Sequence, residues 1–250
     1  MSRSRLQRWV LLGASHATTL AVGVVTARDY ERWVALGRGG VPNTIAGWVR
    51  ISRLRLRLAY RRLKGDDTVG TEVCSSYIGE PGDGRWLSQL PRREGSRPRT
   101  AVHPVPQRQA DQSGTLRARV AVLDEFDAVG AQAPDAVGYR RSFFEKHSDA
   151  ITVLHLDNSP AIIHAARGEI AHVHPVDGSM HMTFSPSDAI TVLEAGWGER
   201  HPLSGKSPSL SIGYLFIYSP RTIEEATVIG QLLSASVAYA IGQRLPGSEA

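Results

Sequence analysis

A chain of 250 residues, 42% of them hydrophobic and 21% charged, is long and apolar enough to bury a core, which excludes a disordered protein. Its single cysteine, Cys74, excludes an internal disulfide framework and a paired-cysteine zinc site. The net charge of +5 admits nucleic acid, an acidic membrane surface or an anionic small molecule as partner, and the placement of the arginines decides among them.

Residues 9–27 are 19 positions without a formal charge, flanked by Arg3, Arg5 and Arg8 before and Arg28 after. As a helix they would extend roughly 28 Å, just enough to cross a hydrocarbon core of about 30 Å. A single-pass membrane anchor is therefore expected over 1–28, with a cleavable signal peptide ending at Val25-Thr26-Ala27 as the rival. Seven basic residues between Arg50 and Lys64 would keep the main domain on the cytosolic side. Residues 44–64 interleave apolar side chains with arginine, and Ile51, Leu54 and Leu58 follow helical spacing. Arg53 to Leu58 also alternate with period two, so strand competes with helix there. A basic amphipathic helix resting on anionic lipid is the expectation. The basic run has no nucleic-acid-binding motif and no stacking aromatics, so nucleic acid is not expected as a partner.

Residues 65–106 are rich in Gly, Pro, Ser and charge and suit a long surface connection. The spacing over 115–129 predicts a helix with Leu116, Val120, Leu123 and Phe126 on one buried stripe. Strands follow at 151–156, 169–174 and 179–184. Ser185-Pro186-Ser187-Asp188 caps a helix that Gly196 stops. Residues 213–218 form a further strand, and a last helix begins near Pro220 with Ile229, Leu233, Val237 and Ala240 inward. The order β-β-β-α-β-α predicts an α+β fold, an antiparallel sheet with helices packed on one face, preceded by the N-terminal anchor helix. The chain divides accordingly into 1–28, 29–106 and a catalytic unit at 107–250.

Asp177-Gly178 is a strong hairpin signal, because a type I′ turn needs positive φ at both central residues. Counting outward from that turn puts His174 opposite His181, and His172, His174 and His181 on one face. Three imidazoles there suit proton transfer, metal binding or plain surface polarity, and the spacing alone does not choose. Pro175 limits ladder pairing and suggests an edge strand. The loop 196–203 offers Trp197 as a wall for an aromatic ligand, with Arg200 and His201 to hold an enolate or carboxylate. Nucleotide-binding glycine fingerprints and a serine-hydrolase elbow are absent from the sequence.

Arg28-Asp29-Tyr30, RWLSQLPRREGSRP at 85–98, Gln107-Arg108-Gln109, GEIAHVH at 168–174, GWGERHPLSG at 196–205 and FIYSPR at 216–221 occur in order along nearly the whole chain. Together they resemble the luciferases of luminous fungi and the wider luciferase-like domain family. The resemblance implies a membrane-bound oxygenase that adds molecular oxygen to a hydroxylated styrylpyrone, 3-hydroxyhispidin. The resulting peroxide loses carbon dioxide and emits light, with oxygen as co-substrate and no dedicated metal or flavin. On that basis His174 or His181 is the expected base, His172 orients it, and Trp197, Arg200 and His201 bind the small aromatic substrate. The short turn Pro175-Val176-Asp177 departs from the longer, histidine-bearing turn of the luminous enzymes and leaves light emission open. A histidine-based metal enzyme and a non-catalytic membrane-associated binder of aromatic ligands are the alternatives.

Overall fold

The computed structural model describes residues 3–64, 83–87 and 89–246, with side chains from residue 19 onward. Cys74 and the first part of the connection expected over 65–106 lie outside the described residues. The helices are α1 (Arg3–Ala35), α2 (Ile45–Leu63), α3 (Leu116–Ala131), α4 (Ala161–Ala165), α5 (Pro186–Glu194) and α6 (Ile223–Ile241). The strands are β1 (Val137–Arg141), β2 (Asp149–Val153), β3 (Glu169–Val173), β4 (Met180–Thr183), β5 (Gly198–Arg200) and β6 (Tyr214–Ile217). All six form one antiparallel sheet in the order β1-β2-β3-β4-β6-β5. The α+β class and the antiparallel sheet stand as expected.

Register separates the two faces of this sheet. Met180 lies opposite Ile217 and Met182 opposite Leu215, and all four belong to the core beneath α6, together with Ile229, Leu233, Val237 and Ala240. His181 lies between His172 and Phe216, and Thr183 faces Tyr214, which defines the other face. That second face is not left to water. Trp33 at the end of α1 is fully buried and donates from Nε1 to the Val105 carbonyl at 2.9 Å. Arg108 donates to the Arg38 carbonyl at 2.7 Å. A Cβ on Gly40 would lie 2.3 Å from the Phe144 carbonyl oxygen, so the turn after α1 sits directly on the loop after β1. Helices therefore stand on both sides of the sheet, with α1, α2 and residues 99–110 roofing the histidine face.

Among the described residues no helix is long and apolar enough to cross a membrane. The anchor expected over 9–27 is thus unsupported. The helix that contains it runs on through Arg28, Asp29, Glu31 and Arg32 to Ala35, and its side chains up to residue 18 lie outside the description. Residues 44–64 resolve to a helix, capped by the Thr44 hydroxyl, with Ile51 and Leu58 inward and Arg55 bonded to Asp29 at 2.9 Å.

The buried stripe of α3 is not the expected one. Ala118, Val122, Phe126 and Val129 face the core, whereas Leu116, Val120 and Leu123 are 70%, 45% and 50% exposed. Both stripes have helical spacing, but α3 packs closely on α6 at Gly230, where an added Cβ would lie 2.2 Å from the Glu125 carboxylate. Close approach selects the smaller stripe. The displaced leucines line a cleft of about 510 Å³ with Phe126, Tyr139 and Pro175.

Candidate functional site

The hairpin between β3 and β4 is longer than a two-residue turn. Gly178 alone takes a left-handed φ of 72°, and its N–H donates to the His174 carbonyl at 2.9 Å, closing a four-residue loop over 175–178. Asp177 is instead turned inward, where its carboxylate accepts the Gln109 N–H at 2.5 Å, the Ser179 N–H at 3.2 Å and the Ser179 hydroxyl at 2.8 Å. The pairing moves by two residues from the expected register, so His172 rather than His174 lies opposite His181. A shift of two preserves parity, and the three histidines keep a common face. Pro175 sits in the turn, and β3 is an interior strand, not an edge.

The rings of His172, His174 and His181 lie 5.2, 5.3 and 4.9 Å apart by centroid, and His201 joins them 5.2 Å from His181. They are 1%, 0%, 4% and 7% exposed in that order. Burial, reinforced by the charge of Arg108 and the neighbouring imidazoles, holds His174 well below the usual histidine range. Burial and the neighbouring His201 and His172 do the same to His181. His201 is pushed down to about 3, chiefly by burial. Its Nδ1 accepts the Leu203 N–H at 3.1 Å, and its other hydrogen bond goes to the Pro104 backbone. His174, His181 and His201 are therefore neutral at physiological pH.

Each of the three hairpin imidazoles has its Nδ1 tied to a separate partner. His172 Nδ1 lies 2.6 Å from Glu169 Oε1, His174 Nδ1 lies 2.8 Å from Ser179 Oγ, and His181 Nδ1 lies 3.2 Å from the Leu215 carbonyl. The Ser179 hydroxyl gives its proton to Asp177, and a carboxylate or carbonyl oxygen only accepts, so these partners assign the ring proton to Nδ1 in each case. In His174 and His181, which burial keeps neutral, Nε2 is left with its lone pair. The Nε2 atoms of His172 and His174 are buried without a hydrogen-bond partner.

Glu169 deserves a structural account, because residues three apart in a regular strand point to opposite faces. A bulge between Ile151 and Thr152 of β2 shifts the β3 partner from Ala171 to Glu169, which skips Ile170 and returns Glu169 to the histidine side. Burial alone would raise this carboxyl. Bonds from His172, Ser142 and the Phe143 N–H outweigh that and hold it below the usual carboxylate value. Across the site, Glu145 accepts both nitrogens of the buried Arg108 guanidinium at 3.0 and 3.1 Å and stands 3.6 Å from His174 Nε2. Phe144 and Tyr214 close another side, with ring centroids 5.2 Å apart.

Residues 167–236, which carry all three hairpin histidines, match the model of the Luciferase domain. The luciferase of Armillaria mellea is 32% identical over 227 residues, covering 85% of this chain and 80% of that protein. The luciferase of Neonothopanus nambi is 30% identical over 242 residues, covering 92% of this chain and 86% of that one. No solved structure matches. The chain belongs to the fungal luciferase family. Its pieces of resemblance, far apart in sequence, are contact partners in space: Gln107 donates to Glu199 at 2.9 Å, the Gln109 side-chain Oε1 accepts the Ser219 N–H at 2.8 Å, and Arg93 reaches Ser219 and Glu225.

Within this luciferase-family chain, two expected substrate ligands prove to be elsewhere. Trp197 belongs to the apolar core, and its indole N–H donates to the Pro91 carbonyl at 2.6 Å. Arg200 pairs opposite Leu215, a core-side residue, so its side chain leaves the histidine face and donates to the Ser204 carbonyl at 2.9 Å. His201, one residue on, lies on that face beside His181. Reasoning from sequence passed over Glu169, Glu145, Arg108 and Asp177. Arg108 and Glu169 stood inside the resembling segments, which was the one available signal for them.

Proposed function

We propose that this chain is a luciferase-like oxygenase that adds molecular oxygen to an electron-rich hydroxylated styrylpyrone such as 3-hydroxyhispidin. Removal of the substrate's acidic hydroxyl proton gives an enolate. One oxygen molecule then adds to its carbon, and the cyclic peroxide breaks its O–O bond with loss of carbon dioxide, leaving a carbonyl product and light as one outlet for the energy. The observation that carries this reading is the Glu169–His172 pair on a buried imidazole face, inside the stretch matched to the Luciferase domain. A carboxylate behind Nδ1 fixes the ring tautomer and stabilises the imidazolium that proton uptake creates, as in other histidine bases. His172 therefore replaces His174 and His181 as the base in our reading, and those two neutral rings accept hydrogen bonds from the substrate. Burial of this face also keeps water from a reactive peroxide. Because the rings are buried, substrate reaches them only when the roof formed by α1, α2 and residues 99–110 shifts.

The test is to add 3-hydroxyhispidin to the full-length protein and record oxygen uptake, carbon dioxide release and light together. Oxygen uptake that falls at least 100-fold in Glu169→Gln and His172→Gln is expected, the loss general-base catalysis commonly supplies. Binding without any oxygen uptake would instead favour a non-catalytic binder of aromatic ligands.

A further inference from the structure

We propose that His172, His174 and His181 together bind one divalent first-row transition ion through the Nε2 atom of each ring. The ligand atoms offered by the three residues all lie within 4.8 Å of one another. In a tetrahedral site with metal to nitrogen distances of about 2.0–2.1 Å, such nitrogens stand about 3.3 Å apart, so closure asks each ring to move by roughly 1 Å or less. The orientation is already set. Glu169, Ser179 and the Leu215 carbonyl each hold one Nδ1. That is the outer-sphere arrangement by which metal-binding histidines are aimed and made better donors.

Two further observations point to a cation rather than to a structural cluster. Buried polar atoms without a hydrogen-bond partner cost about 1–3 kcal/mol each, and the Nε2 atoms of His172 and His174 are in that state. A positive ion satisfies both at once. The charges around the cluster admit it as well, because Arg108, the cation beside the rings, is neutralised by its two bonds to Glu145. Glu169 is held by Ser142, two backbone N–H groups and His172, while Asp177 is held by Ser179 and the Gln109 N–H, so two buried carboxylates lean on the rings without a lysine or arginine bonded to them. Three imidazoles with no thiolate favour zinc, copper, iron, cobalt or nickel over magnesium or calcium. Three protein ligands also leave a coordination position for a substrate oxygen.

This inference rests on the proposed function only in taking the imidazole face as the reaction site. It departs from the metal-free chemistry that the family resemblance implies. An ion there would acidify a bound hydroxyl by coordination and would occupy the His172 Nε2 that otherwise takes the proton, so the two roles exclude each other and separate by experiment.

Full-length protein is stripped with a chelator and titrated with Co²⁺, following the visible d–d bands of low-coordinate cobalt, and thermal unfolding is recorded with and without Zn²⁺. One equivalent of Co²⁺ producing the bands, and a Zn²⁺-dependent rise in Tm, are expected for the native sequence. His181→Gln, which keeps ring-like volume and a donor for the Leu215 carbonyl, should abolish both. Glu169→Gln should weaken the affinity about 10–100-fold, the usual effect of losing an outer-sphere partner. The proposal is overturned by a native protein that shows neither signal, or by bands that persist undiminished in His181→Gln. Cobalt binding without oxygen uptake on 3-hydroxyhispidin would sink the substrate reading and leave the metal site standing; uptake by protein that binds no ion would do the reverse.

Discussion

Acidification should unfold this protein earlier than its carboxylates alone would require. His174, His181 and His201 are buried and neutral in the native state, whereas an unfolded histidine titrates near 6.5. A group whose native pKa is depressed in this way binds more protons when unfolded, so its stabilising contribution is complete above 6.5 and is lost as pH falls from there toward the native value. Each such ring removes about 1.4 kcal/mol per pH unit below that point, or about 4 kcal/mol per unit for three. Between pH 7 and pH 5 the loss reaches about 6 kcal/mol, the size of a whole domain's stability at the lower end of the common range. Glu169, with its lowered carboxyl, adds a further loss only below the ordinary carboxylate range. Asp177 and Asp188 are raised by burial and act in the opposite sense near that range. Urea unfolding of chelator-treated protein at pH 7, 6 and 5 measures the effect. With a slope of about 3 kcal/mol/M, the midpoint should fall by about 2 M across the series. His201→Gln, which retains an acceptor for the Leu203 N–H, should reduce the fall by about a third. A midpoint that stays put between pH 7 and pH 5 would refute the assignment of three buried neutral rings.

Arg108→Ala strands the Glu145 carboxylate beside His174 and should cost about 3–5 kcal/mol, with the Arg108→Ala, Glu145→Ala double variant losing less than the sum of the two singles. Urea midpoints check this, and a cost below about 1 kcal/mol would contradict it. Trp197→Phe gives up the bond to the Pro91 carbonyl and should lower stability by about 1–3 kcal/mol while leaving KM for the styrylpyrone unchanged. A large rise in KM at unaltered stability would restore Trp197 to the substrate wall.

Most of the catalytic-side geometry was legible because it depends on parity. The hairpin was expected to turn at two residues and turns at four, yet His172, His174 and His181 share a face in either register. Capping chemistry was equally local: Ser185 accepts the Asp188 N–H at 3.2 Å, and Gly196 takes a φ of 81°. What escaped depends on distant partners. Strand β5 has three residues, and only its pairing with β6 reveals that Arg200 turns to the core side while His201 does not. Strand β1 is half exposed with no alternation to announce it. Glu169 meets His172 only through the register shift between β2 and β3, which no local pattern announces. In α3 two apolar stripes of helical spacing share Phe126, and only the packing against α6, a hundred residues later, shows which one is buried.

The roof over the imidazoles has a consequence for how this family can vary. Residues 167–236 contribute the floor, but Trp33, Arg38, Arg108 and the Pro104 backbone close the space above it, from parts of the chain that precede that stretch. A fragment trimmed to the matched stretch would expose a bare wall of rings to water. Conversely, exchanging residues 29–64 and 99–110 between relatives would reshape what the rings meet while leaving the rings untouched.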